Sequence, residues 1–235
     1  MGLSLYTIPV QEIFEPKEGC PFCRLYHVLE ERCVDYILGA AMMEPAIRQE
    51  TNRLGFCSRH LELMLAQRNK LPLALVLQSH LETLQKELFE KNIFNPPARR
   101  AKKAGESDAT CYICSKIDDA FDKIMENTLV LYEKDPSFRE LFAQQEQLCL
   151  PHYLKLAGKI AVRPKKEAAA EQKAAQQLCQ QALDTLTEDV THFAKMFDYR
   201  NQGGDWKNSR DALERAARFL TGIFAEDSAA PGGKK

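Results

Sequence analysis

The chain reads as an all-α protein of two tandem, pseudo-repeated helical modules. Each is expected to be a helical hairpin closed by a Cys3His metal site, with a further helix packing at the C-terminal end. Three observations predict this. Cys20-Pro21-Phe22-Cys23 and Phe56-Cys57-Ser58-Arg59-His60 recur as Cys111-Tyr112-Ile113-Cys114 and Leu148-Cys149-Leu150-Pro151-His152. The insert is nearly constant, with thirty-three residues between Cys23 and Cys57 and thirty-four between Cys114 and Cys149. Between the motifs, apolar residues recur at spacings of three and four, the period of an amphipathic helix.

Taken in order, residues 5–15 form a short helix with Thr7 as N-cap and Pro9 in its first turn. Pro16 and Gly19 break it and place the first CxxC at the start of a longer helix, where free backbone N–H groups favour thiolate. From Pro21 to Ala41, Leu25, Val28, Leu29, Val34, Ile37 and Leu38 mark one apolar face. Pro45 opens a return helix that stops at Gly55, just before Cys57. This hairpin is expected to bring the chain back toward the first cysteine pair. Helix continues through the CxxH turn to Arg68, and the periodic stretch Leu73–Lys91 completes the first module, residues 1–94.

Residues 95–108 are proline-bounded and basic and read as a linker. The second module, residues 109–226, repeats the order: Cys111–Glu133, a return helix Ser137–Gln147 opened by Pro136, and a CxxH helix to Ile160. It then departs from the first. Helix-favouring Ala/Gln/Glu/Lys sequence continues to Phe197, roughly 48 Å at 1.5 Å per residue, part of it expected to protrude and be open to pairing. Gly203-Gly204 ends it, Asp205 caps a last helix containing Trp206, Leu213 and Phe219, and residues 227–235 read as a disordered tail.

Three thiolates and one imidazole are the ligand set of a closed tetrahedral structural zinc site. The grouping expected from chain order is Cys20, Cys23, Cys57 and His60 for one ion, and Cys111, Cys114, Cys149 and His152 for the other. Arg24 and Arg59 at the first set and Lys116 at the second are placed to offset the negative charge. His27 has Asp118 at its equivalent position and reads as a surface residue, whereas His80 and His192 read as packing histidines. Acidic pairs such as Glu30-Glu31 and Asp118-Asp119 read as solvated helix faces. Cys33 and Cys179 read as small buried apolar side chains.

Lys plus Arg number 32 and Asp plus Glu 33, so no global field selects nucleic acid or an anionic membrane. No stretch has the length or apolarity of a membrane span or secretory leader, and a cytoplasmic protein is expected. There is no acid pair, nucleophile elbow or phosphate-binding glycine loop, so the motifs point to an interaction or regulatory protein and not to an enzyme. The partner is expected to be a protein, bound at a groove between modules or on the long second-module helix. Three alternatives stand beside zinc-stabilised interaction. One is a redox-sensing zinc-thiolate switch; another is an iron-sulfur protein. The third is nucleic-acid binding through Arg99, Arg100, Lys102 and Lys103.

These residues resemble an uncharacterised bacterial family, a domain of unknown function. Its members share Leu5-Tyr6-Thr7-Ile8-Pro9-Val10, the first CxxC, Thr51-Asn52-Arg53-Leu54-Gly55-Phe56-Cys57-Ser58-Arg59-His60 and the second cysteine-histidine set. The resemblance covers nearly the full length and supports the architecture; it implies no activity.

Overall fold

A computed structural model of the protein describes residues 10–89, 110–201 and 203–222. The expectations for Thr7 and Pro9, for the basic linker 95–108 and for the tail 227–235 lie outside these residues. Among the described residues there are ten α-helices and no strand. They are α1 Val10–Phe14, α2 Pro21–Leu38, α3 Pro45–Leu54, α4 Ser58–Ala66 and α5 Leu71–Phe89, then α6 Tyr112–Lys134, α7 Pro136–Ala143, α8 Leu150–Ala161, α9 Lys165–Lys195 and α10 Ala212–Thr221. Short 3-10 turns occupy Ala40–Met43 and Tyr199–Asn201.

The stops and starts follow local chemistry. Pro45 and Pro136 sit in the first turns of α3 and α7, where a missing N–H costs nothing. Asp135 caps α7 by accepting from the N–H groups of Ser137 and Phe138. Gly55 ends α3 at φ 61° and ψ −158°, a conformation open essentially to glycine alone, while its N–H donates to Thr51 O at 2.9 Å. Cys57 and Cys149 occupy the extended N-cap positions of α4 and α8. Each CxxH motif therefore straddles a helix start, with its histidine in the first turn.

The last helix differs from expectation. Asp205 caps only a turn, accepting from the Lys207 N–H at 2.9 Å, and α10 begins at Ala212. Within residues 205–211 local bonds replace the helical ladder, among them Ser209 N–H and Oγ to Trp206 O at 3.0 and 2.6 Å. The long helix is also less free than its composition suggests. In α9, Ala175, Leu178, Cys179, Ala182 and Leu186 are buried and the helix packs on α8 and α10, so small residues provide a buried stripe where large ones are scarce.

The described chain divides into two compact units, one of residues 27–89 and 110–122, the other of 10–26, 123–201 and 203–222. Their limits fall inside α2 and α6 and not in the 95–108 linker, so the expected modules 1–94 and 109–226 are not the compact units. Helices α2 and α6 each begin in one unit and end in the other. In the first unit Leu29, Val34 and Ile37 of α2, Met64 of α4, Leu73 and Val76 of α5, and Ile113 and Ile117 of α6 are buried. The second unit has an aromatic core: Phe14 packs against Phe22, Phe138 and Phe142 with ring centroids 5.8, 5.0 and 5.6 Å away.

Candidate metal centres

Two Cys3His groups form, and they draw on both repeats. Cys57 and His60 meet Cys111 and Cys114 in the first unit; Cys20 and Cys23 meet Cys149 and His152 in the second. In each group all four ligand atoms lie within 4.8 Å of one another. The eight residues are those the motifs single out, but the grouping expected from chain order is overturned. The reason lies in the arms of the hairpins. Helix α2 has 18 residues and α3 only 10, about 27 Å outward against about 15 Å back; α6 and α7, with 23 and 8 residues, give about 35 Å against about 12 Å. The return arm stops short, and each CxxH turn meets the other repeat's CxxC.

Backbone latches hold the two motifs of each group together. In the first unit Thr110 Oγ1 donates to Leu54 O at 2.7 Å and Tyr112 N–H to Gly55 O at 3.0 Å, placing Cys111 beside the end of α3. His80 closes over that corner, its Nδ1 3.0 Å from Asn52 O. In the second unit Glu146 N–H donates to Lys17 O at 2.9 Å, and the Glu146 carboxylate accepts from Gly19 N–H. Gln145 Nε2 donates to Phe14 O at 2.7 Å, and its Oε1 accepts from Arg24 at 2.8 Å. Arg24 also donates to the carbonyls of Ile13, Pro16 and Glu18, fixing the loop that delivers Cys20.

In the first group Nδ1 of His60 stands 3.1 Å from Cys57 Sγ, 3.3 Å from Cys111 Sγ and 3.4 Å from Cys114 Sγ, and Cys57 and Cys114 are 3.9 Å apart. In the second, Nδ1 of His152 is 3.0, 3.4 and 3.6 Å from Cys149, Cys23 and Cys20, and Cys23 and Cys149 are 3.7 Å apart. The two histidines, Cys20, Cys111 and Cys149 are buried; Cys23, Cys57 and Cys114 are half-buried. The turn after α10 approaches the second group. Gly222, at φ 82°, brings its carbonyl to 3.1 Å from Cys23 Sγ, and a Cβ there would lie 3.5 Å from Cys149 Sγ.

Electrostatics prime both groups for a cation. Burial pushes the Cys111 thiol up, but hydrogen bonds from His60 and backbone N–H groups outweigh it and bring it down to about 6. Burial alone would discharge His60, yet contact with Cys111 and Glu30 raises it to about 10. In the second group burial opposes ionisation of Cys20, and hydrogen bonds from Cys149, Cys23 and His152 hold it well below the usual thiol range. Cys23 is driven upward by its hydrogen bonds to Cys149 and Cys20. One cysteine in each group is thus shifted toward thiolate, and the thiol protons that remain would have to leave if a metal ion bound.

Of the basic residues expected near the ligands, Arg24 lies at the second group and Arg59 at the first, where its Nε and Nη2 donate to Glu30 at 2.8 and 3.0 Å. Lys116 pairs with Glu50 at 3.1 Å and stands over the Tyr112 ring. His192 makes its contact with Asp205 O at 2.9 Å. Sequence reasoning missed Glu30. It is only 4% exposed and its Oε1 lies 3.2 Å from His60 Nε2, off the ring N–H axis, whereas Glu31, Asp118 and Asp119 are exposed as expected. The signal was there: Glu30 precedes Cys33 by three residues and Val34 by four, on the face of α2 that is buried.

A helical fold carrying two Cys3His groups able to hold metal ions defines the class of protein. The chain belongs to a family of unknown function (DUF6062), matched over residues 1–227. No curated protein and no solved structure matches it. No helix among the described residues is long and apolar enough to cross a membrane.

Proposed function

We propose that the protein binds two structural zinc ions, one in each Cys3His group, and acts as an interaction or regulatory protein rather than a catalyst. The size of the groups carries this reading. A tetrahedral zinc ion with Zn–S of about 2.3 Å and Zn–N of about 2.0–2.1 Å has S···S edges near 3.8 Å and S···N edges near 3.5 Å. One S···S separation in each group, 3.9 and 3.7 Å, matches the first, S···N separations of 3.0–3.6 Å bracket the second, and all four ligand atoms of each group lie within 4.8 Å of one another. That spacing suits one ion; an iron-sulfur cluster needs room for several atoms between its ligands. Thiolate with imidazole favours zinc over hard cations. Four protein ligands fill the coordination shell, so the ions contribute folding free energy and leave no place for an activated water.

A protein partner is favoured, with the exposed polar face of α9, from Lys173 through Gln176, Gln177 and Gln180 to Asp184, as its landing site. The basic residues Arg99, Arg100, Lys102 and Lys103, the basis of the nucleic-acid alternative, lie outside the described residues. Elemental analysis of protein purified without added metal tests the reading. Two equivalents of zinc are expected. Iron with visible absorbance would replace zinc by a cluster, and metal-free folded protein would end the proposal. Metal loss and disulfide formation under mild peroxide, reversed by thiol, would assign the redox switch.

A further inference from the structure

We infer that Glu30, clamped by Arg59, is a positioning residue that selects which nitrogen of His60 takes the metal. The inference deepens the metal-binding reading and rests on it. An imidazole ligates through its unprotonated nitrogen, and what the other nitrogen meets decides the tautomer. In His60, fully buried, Nδ1 faces all three sulfurs at 3.1–3.4 Å, while Nε2 has the Glu30 carboxylate beside it, Oε1 at 3.2 Å and off the N–H axis. A carboxylate there attracts a proton to Nε2 and leaves Nδ1 free for the ion.

A buried carboxylate is costly unless it is paired and hydrogen-bonded. Arg59 supplies two bonds, at 2.8 and 3.0 Å, from the residue immediately before His60, so the clamp and the ligand move as one turn of α4. His27 Nδ1 stands 4.0 Å from the second oxygen. Arg59 also offsets the charge of Glu30, so the carboxylate adds little to the negative charge of three thiolates and a divalent ion. In the other repeat the positions in register with Glu30 and Arg59 are Phe121 and Pro151, which can supply neither a carboxylate nor a clamp. This arrangement therefore serves one group of the two.

The test is Co²⁺ titration of the full-length protein, followed by thiolate-to-metal absorption against a competing chelator, for wild type, Glu30→Gln and Glu30→Leu. Wild type takes up two equivalents. In Glu30→Leu one equivalent weakens by about 10–100-fold, the usual cost of losing such a partner, and the other holds. Glu30→Gln, which keeps an oxygen acceptor, falls between. Alkylation of Cys57, Cys111 and Cys114, and not of Cys20, Cys23 and Cys149, identifies the weakened group. In ring ¹⁵N spectra of the zinc form, His60 shows a metal-bound Nδ1 and protonated Nε2, and that proton exchanges faster in Glu30→Leu. Unchanged affinity of both equivalents, or equal weakening of both, overturns the role of Glu30. Absence of any uptake by wild type instead overturns the metal reading on which it rests.

Discussion

Among the described residues each unit encloses one Cys3His group and one buried glutamate, and the two carboxylates are shifted in opposite directions. Glu30 in the first unit is 4% exposed and Glu171 in the second 3%. Burial pushes both upward, but the close His60 ring and the two hydrogen bonds from Arg59 outweigh it and draw Glu30 down to about 2. Glu171 remains raised, since its partner Arg163, 3.0 Å away, donates to Glu133 instead and neither Glu171 oxygen receives a well-aligned hydrogen bond. Glu133 and Glu167 add like charge. Equal burial, then, says little about a carboxylate; the direction of its donors decides which way its pKa moves.

The largest effect is expected from cutting one ligand from each group. Cys57→Ser should lose one metal equivalent and expose Cys111 and Cys114 to alkylation, leaving Cys20 and Cys23 protected; Cys149→Ser should do the reverse. Each loss should cost several kcal/mol, as structural zinc binding is worth about 10–16 kcal/mol in small domains. Exposure of Cys20 and Cys23 in Cys57→Ser would restore the grouping by chain order.

A smaller effect is expected at the corner of the first unit. Gly55→Ala places a Cβ in a glycine-only conformation and 3.4 Å from His80 Nε2, lowering stability by about 1–3 kcal/mol in urea unfolding. A near-zero change would mean that the α3 end shifts without disturbing the latch.

The two carboxylates separate by pH. Glu171, raised in the folded state, contributes stability fully present below its unfolded value near 4.3 and lost as pH rises through the folded value. Glu171→Gln should therefore raise the Tm at pH 7, with the gain vanishing toward pH 4; a gain independent of pH would rule out this titration. The least of the effects is Thr110→Val, which removes the bond to Leu54 O and should cost about 0.5–1.5 kcal/mol by thermal unfolding.

Helix positions were legible because they depend on neighbours in the chain. Pro45, Gly55 and Pro136 mark boundaries where the structure has them, and the long α9 follows from helix-favouring composition. Position 205 misled because an Asp that caps a turn and one that caps a helix have the same local sequence. The charge of Glu30 points to solvent, although its place in the helical period puts it on the buried face.

By itself the sequence determined that the protein is helical and which eight cysteine and histidine residues could supply metal ligands, since ligand type and two-residue spacing are local properties. Only the tertiary structure decided which pairs join. A CxxC and a CxxH are each complete as half-sites and fit either partner. The choice falls to the unequal lengths of α2 and α3, and of α6 and α7, and to the latches at Gly55 and Glu146 that carry each cysteine pair to the other repeat's histidine.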